Sequence, residues 1–468
     1  MTGILEKVNG AVWGIPTMLL ILCVGLILSF KSRFFQITHF GKAFRSFLKM
    51  LKPEKSNQEG VSSYQALCTA LAATVGTGNI VGVAGAITLG GPGSVFWMWV
   101  CAFFGMILKC AEAVLAVYYR RKNQSGEWIG GPMYMIEHGL GSKWKWLAVL
   151  YAFFGVVAAF GVGNATQINA VLGGIHSAFG VFGVTLSKSA DYIIAVFLAA
   201  VVGLMLSGGA KRIGRIAEQL VPFASLAYIL LGVGVLILRW KAVPSALSAI
   251  FVGAFSPKAV TGGLVGSFFL VCRTGAARGI FTNEAGMGTA SIAHAAAEVK
   301  HPAQQGYMGI MEVFLDTVVI CTITALVILC SGISVPYGVD AGTTLTSDAF
   351  SCIYGGWVTV LIALSLLCFA LATVLGWGYY GLRCAQYLFG DKIYSLFVVI
   401  QVLTVILGAA LQTKTVWLLA ETVNGLMAIP NLIALLGLCP QFVKLLWEYK
   451  NQNYLGEKNE NFNQCKSL

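Results

Sequence analysis

Two short stretches place glycine and polar residues where the rest of the chain is apolar. The first reads Ala72-Ala-Thr-Val-Gly-Thr-Gly-Asn-Ile80. The second reads Cys272-Arg-Thr-Gly-Ala-Ala-Arg-Gly-Ile-Phe-Thr-Asn-Glu-Ala-Gly-Met-Gly288. A break in a helix frees backbone N–H and C=O groups, and in hydrocarbon each unpaired group costs roughly several kcal/mol. Such a break persists where a ligand, an ion or neighbouring protein satisfies it. Freed N–H groups at the start of a half-helix attract a carboxylate, and freed carbonyls can ligate a sodium ion. The competing reading is that the glycines only allow close helix packing, the role expected of Gly82, Gly85 and Gly105. Gly76 and Gly275 lie 199 positions apart. Interruptions at corresponding places in two halves point to a midplane site of a secondary transporter.

Charged residues inside apolar runs are expensive and usually paired or functional. Lys109 and Glu112 share a helical face, and a local ion pair is the simplest reading. Arg273, Arg278 and Glu284 fall in the second interruption. Arg278 and Glu284 fit either a gate or an internal pair, and Glu312 and Asp316 are candidates for the same network. His138 and His294 read as boundary residues. No GxSxG, HExxH or GxxxxGK[ST] run occurs, so nothing points to an enzyme or a built-in ATP motor. Gly161-Val-Gly-Asn164 has no strand before it and matches no dinucleotide fingerprint. The 12 cysteines form no CxxC or Cys/His cluster and read as buried thiols. No cofactor is expected.

The elements that must position these residues are membrane helices. The chain is 57% hydrophobic and 11% charged, against about 25% charged in soluble domains. Eleven apolar runs are long enough to cross a bilayer. They lie near 14–31, 62–90, 93–119, 146–173, 190–207, 217–239, 260–290, 306–331, 349–377, 393–412 and 415–440. Ile15–Phe30 reads as a retained span, without the small-residue cleavage site of a signal.

Of 31 Lys and Arg residues, only Lys7, Lys188, Arg239, Lys241, Lys258 and Lys414 fall on one side of this threading. Lys109, Arg273 and Arg278 lie within spans, and the others fall on the opposite side. The bias predicts an N-terminus outside and a C-terminus inside. It also accounts for the net charge of +12 without nucleic acid, because no basic-aromatic module is present. Between the first two spans, Phe40–Lys52 alternates aromatic and basic faces and predicts an amphipathic helix on the inner surface.

The expected architecture is all-α and polytopic, one transmembrane domain over 1–440. An extra span (14–31) precedes two five-helix repeats (62–239 and 260–440), and a cytoplasmic tail (441–468) follows. An odd number of spans per repeat inverts the second repeat.

The runs Thr69–Ile80, Gly130-Gly-Pro-Met-Tyr134 and Arg278–Gly288 resemble the alanine or glycine:cation symporter family, over nearly the whole chain. The resemblance implies a LeuT-like fold of two inverted repeats. It also implies sodium-coupled, or proton-coupled, uptake of alanine, glycine or serine across the cell membrane, with glutamine as an alternative substrate. By motif it places Thr77, Gly78 and Asn79 at the substrate carboxylate. Gln167, Thr274, Gly275, Thr373 and Trp377 would line the pocket, and Ala72, Val75 and Thr373 would hold a sodium ion. Two plainer roles stay open: Thr373 back-bonding to its own helix, and Trp377 as an interface anchor. A channel would need a continuous polar pore, and only one pair of breaks is visible.

Overall fold

The computed structural model describes residues 2–12, 14–51, 60–265, 267–339, 344–410 and 413–466, and among them it is almost wholly helical. In chain order the principal elements begin with α1 (Thr2–Val12), α2 (Ile15–Lys31) and the amphipathic α3 (Phe40–Met50). Then come α4 (Ser63–Thr74), a π turn (Gly78–Gly82), α5 (Val83–Gly90) and α6 (Ser94–Tyr118). A small hairpin, β1 (Arg121–Lys122) and β2 (Trp128–Ile129), is followed by α7 (Lys145–Phe160), a second π turn (Gly161–Ala165) and α8 (Thr166–Gly180). Next are α9 (Lys188–Leu206), α10 (Gly209–Leu238) and α11 (Val243–Phe255). The second half holds α12 (Phe268–Asn283), α13 (Thr289–Ala295), α14 (Pro302–Val313), a third π turn (Phe314–Cys321) and α15 (Thr322–Ser331). It ends with α16 (Thr344–Tyr354), α17 (Val358–Phe389), α18 (Tyr394–Ala410), α19 (Thr413–Gly437) and α20 (Cys439–Lys466). Lys52 and Lys55 of the expected inner segment lie outside the described residues, as do the last two residues of the span expected at 393–412.

Seven described helices are long and apolar enough to cross a membrane, nine if each bent pair counts once. One bent pair is α4 with the segment Gly78–Gly90, kinked by 50°, at the first interruption. The other joins α19 to α20 at 62°. Two of the eleven expected spans fall below that length: the first is α2, and the seventh is split into α12 and α13.

Four details depart from the sequence reading. The seventh span does not break at Gly275; α12 runs through it and ends at Glu284, ten residues or so later. Gly275 and Gly279 instead let α12 press against α6. A Cβ on Gly275 would overlap the Ser94 carbonyl, and one on Gly279 would lie 3.2 Å from the Met98 Cα. This is small-residue packing of the GxxxG kind. Second, the loop expected between 239 and 260 contains α11. Its 13 residues reach about 20 Å, short of a hydrocarbon core of about 30 Å, and it wedges against the start of α6, with Gly253 on Gly93. Third, the span expected at 349–377 is divided at Gly355, which has φ +87°, so α17 starts later and runs on to Phe389. Fourth, the segment expected as a cytoplasmic tail (441–468) is taken up to Lys466 by α20, and Phe442, Leu445 and Leu446 at its start are buried.

Candidate functional site

The first break is built by the end of α4. Val75 N–H closes the last turn on the Leu71 carbonyl at 2.7 Å. Gly76 N–H then donates to the Asn79 side-chain oxygen at 2.8 Å instead of continuing the helix. Among the described residues, no backbone N–H reaches the carbonyls of Ala72, Ala73, Thr74 or Val75, and no backbone carbonyl takes the N–H of Thr77 or Gly78. All of these residues are buried. Their backbone polarity is therefore unpaired within the bundle, which a buried helix end does not tolerate without a partner.

Two other helices bring side chains to this point. Thr77 Oγ1 donates to Gln167 Oε1 at 3.2 Å. A Cβ on Gly76 would lie 2.6 Å from Thr373 Oγ1 and 3.8 Å from Gln167 Oε1. Thr373 Oγ1 itself donates to the Phe369 carbonyl at 2.9 Å, so the back-bond foreseen for it forms while its oxygen still faces the break. The structure thus gathers Ala72, Val75, Thr77, Gly78, Gln167 and Thr373 in one place. Asn79 serves the break from behind: its Nδ2 donates to Asp316 Oδ1 at 2.6 Å.

The π turn at Gly161–Ala165 orients Gln167. In a π turn the usual i–4 bond is replaced by a wider one. Here the Val162 carbonyl accepts from Thr166 Oγ1 at 2.7 Å and from Gln167 Nε2 at 3.1 Å. The amide nitrogen is thereby used, and the amide oxygen is turned to the break. Asn164 and Asn169 pin the turn to α18 through the carbonyls of Gln401 and Gly408, at 2.8 and 2.9 Å. The run Gly161-Val-Gly-Asn164 was the visible sign of this turn.

The second break is the loop 284–288 between α12 and α13, where Glu284, Gly286 and Gly288 have φ of 53°, 90° and 80°. Glu112 holds it. Its Oε1 accepts from Gly286 N–H at 2.9 Å, Gly288 N–H at 3.1 Å and Asn431 Nδ2 at 2.8 Å. The expected Lys109–Glu112 pair therefore does not form. Lys109 reaches Glu312 on α14 at 3.0 Å instead. Glu284 accepts from Thr289 Oγ1 at 2.6 Å and from Trp377 Nε1 at 2.9 Å. Glu312, Glu284 and Asp316 thus have separate partners. His294, read as a boundary residue, is fully buried between Gln305 and Glu312, at 2.9 and 3.1 Å. Trp377 is fully buried beside Gly163 rather than at an interface.

Replacing Glu112 by alanine orphans three buried donors at about 1–3 kcal/mol each. A fall of at least several degrees in detergent melting temperature is expected, with Glu112→Gln recovering much of the loss because its carbonyl can still accept. Equal melting of the alanine variant and the parent would contradict that role.

Thr274 and Gly275 are not brought to the first break. Gly275 faces Ser94 and Trp97, and Thr274 lies against Gly90. Thr274 lines a separate cavity of ≈ 400 Å³ with Arg273, Arg278, Asn9, Leu89 and Phe281. Sequence reasoning missed Asn431 and read Glu112 only as a partner of Lys109. Their signal was polarity within apolar runs, but nothing local says which loop they hold.

Two interrupted membrane helices whose ends meet polar side chains inside a helical bundle define a transporter scaffold. The chain belongs to the sodium:alanine symporter family, whose model matches residues 1–464. It is 43% identical over 443 residues to the sodium/alanine symporter AgcS of Methanococcus maripaludis, covering 92% of this chain and 94% of that one. It is 42% identical over 438 residues to an uncharacterized transporter of Haemophilus influenzae, covering 93% of each. A third relative, named "Probable sodium/glutamine symporter GlnT", of Bacillus subtilis, is 34% identical over 465 residues, covering 98% of this chain and 93% of that one. Among solved structures, MhsT in complex with L-phenylalanine matches with a TM-score of 0.58 at 12% identity, over 84% of this chain and 99% of that one. At that identity the match speaks for the LeuT-like fold.

Proposed function

We propose that the chain carries a small neutral amino acid (alanine, glycine or serine) into the cell together with a sodium ion, both bound at the first break. The observation that carries this reading is the pairing there of bare carbonyls with bare N–H groups. The carbonyls of Ala72 and Val75 and the hydroxyl of Thr373 are hard oxygen donors of the kind a sodium ion takes. The N–H groups of Thr77 and Gly78 suit the substrate carboxylate. The Gln167 amide oxygen, facing the same point, is an acceptor suited to the substrate ammonium. Thr373 and Trp377 lie one helical turn apart on α17, so the bulk of the indole would cap a short side chain.

The cycle is alternating access: ion and substrate bind, the broken helices rock against the rest, and the sodium gradient drives accumulation. One charge moving with the membrane potential contributes about 2.3 kcal/mol per 100 mV. An inner face for the hairpin is supported by the basic residues around the cavity of ≈ 330 Å³ there, where Lys122, Lys211 and Arg383 outnumber Glu127 and Glu298. An N-terminus outside agrees with that side.

The test is uptake of labelled alanine, glycine, serine and glutamine into proteoliposomes, with and without sodium and pH gradients. Saturable, sodium-dependent alanine uptake is expected. A stronger response to glutamine would favour the substrate in the name of the Bacillus subtilis relative, and a response to pH alone would favour proton coupling. Uptake indifferent to both gradients would overturn symport.

A further inference from the structure

Glu284 has no part in the site as described so far, yet its placement is costly. It is a non-glycine residue with φ 53°, a left-handed conformation that glycine adopts without penalty and that favours glycine just past a helix end. It is also a carboxylate only 2% exposed. A chain that needed only to end α12 here would be served by glycine. What the side chain adds is two hydrogen bonds in opposite directions. Oε2 takes the Thr289 hydroxyl at 2.6 Å, which ties the carboxylate to the first residue of α13. Oε1 takes the indole N–H of Trp377 at 2.9 Å, across 93 positions of sequence.

The indole is fully buried, and its N–H makes one hydrogen bond, to Glu284. The Trp377 Cβ lies under Gly163, where any side chain would collide with it. The ring meets Tyr380 edge-on at 5.9 Å. These contacts seat the Cβ and the near ring, and the polar N–H edge needs a partner of its own to orient it. The Nε1–H to Glu284 bond does that. The loop bearing Glu284 is in turn fastened by Glu112 and by Asn431, whose Nδ2 also donates to the Gly286 carbonyl at 2.9 Å. The second break is therefore connected to the residue that stands one turn after Thr373 at the first.

We propose that Glu284 is a positioning residue that sets the size limit of the substrate pocket by holding the Trp377 indole in place. The inference rests on the reading that Trp377 borders that pocket. Loss of the Glu284 acceptor frees the indole to swing, and side chains larger than a methyl or hydroxymethyl group gain room.

The experiment uses the full chain in proteoliposomes and reads how well valine, leucine and glutamine compete with labelled alanine. The readout is the half-inhibiting concentration of each relative to unlabelled alanine. Glu284→Gly removes the side chain and also relieves the left-handed backbone, so it guards against a variant that merely fails to fold. Glu284→Gly and Glu284→Ala are expected to lower the ratio for the larger amino acids at least fivefold. Trp377→Phe, which keeps a ring but loses the N–H, is expected to do the same. Trp377→Phe combined with Glu284→Gly is expected to match Trp377→Phe alone, because both remove one bond. Glu284→Gln keeps an acceptor for the indole and an amide for Thr289, and should stay within twofold of the parent ratio. A shift with Trp377→Phe but none with Glu284→Gly would overturn the role of Glu284. So would a Glu284→Gln variant as permissive as the glycine variant. Unchanged ratios in both Trp377→Phe and Trp377→Ala would overturn the placement of Trp377 at the pocket, and the inference with it.

Discussion

Replacing Gly76 by alanine is expected to raise the sodium concentration needed for alanine uptake by about 10- to 100-fold, the equivalent of about 1.5–3 kcal/mol of lost ion binding. Gly76 is not among the residues of positive φ, so alanine brings no backbone strain at this position. The cost is steric. The added methyl would lie 2.6 Å from Thr373 Oγ1, well inside contact distance, and α17 is too tightly packed to retreat. Gly376, next along that helix, already has Ala73 within 2.9 Å of where its Cβ would be. The Thr373 side chain must therefore rotate, and its hydroxyl leaves the break.

Thr373→Ala should show the same weakening of sodium dependence, because it deletes that hydroxyl outright. The double variant Gly76→Ala/Thr373→Ala should be no worse than Thr373→Ala, since the methyl then has space and the hydroxyl is already gone. Initial uptake rates over a sodium series, together with the melting shift produced by sodium in detergent, measure this. Wild-type sodium dependence in Gly76→Ala would remove the ion from this position.

The first break was legible because its polar and glycine residues are contiguous. Val75 through Asn79 interrupt an apolar run, and the one side chain that anchors the break, Asn79, sits three residues from the N–H it accepts. The second was placed ten residues or so too early, for a physical reason. Gly275 and Gly279, which notch α12 against α6, look in sequence like glycines that open a helix. Only the partner helix distinguishes a notch from a break. The loop at 284–288 is held by Glu112, more than 170 positions away, and no local pattern encodes that distance. The same holds for Trp377. Its spacing from Thr373 is helical and readable, but its bond to Glu284 spans 93 positions of sequence. Helix α11 escaped notice because it is apolar yet too short to span, a class that run length alone reads as loop.

A second large effect is expected at Lys109, and it concerns stability rather than transport. Lys109 and Glu312 are 1% and 0% exposed and 3.0 Å apart. On its other oxygen Glu312 faces His294 Nε2 at 3.1 Å. The carboxylate thus joins α6, α13 and α14, and close approach of two of these helices makes the contact possible: a Cβ on Gly309 would lie 2.8 Å from the Lys109 carbonyl. Lys109→Met leaves a buried carboxylate without its ammonium partner, a change that costs about 3–5 kcal/mol in buried pairs. The expected result is a sharp loss of folded protein and a melting temperature well below that of the parent in detergent. Glu312→Gln should also destabilise, by stranding the ammonium. The combination Lys109→Met/Glu312→Gln should recover most of the loss, because neutral, well-packed groups at both ends avoid the desolvation that the ions had to repay. That recovery separates a charge effect from a packing effect: if the double variant were the sum of the two singles, the ion pair would not be what holds the three helices together.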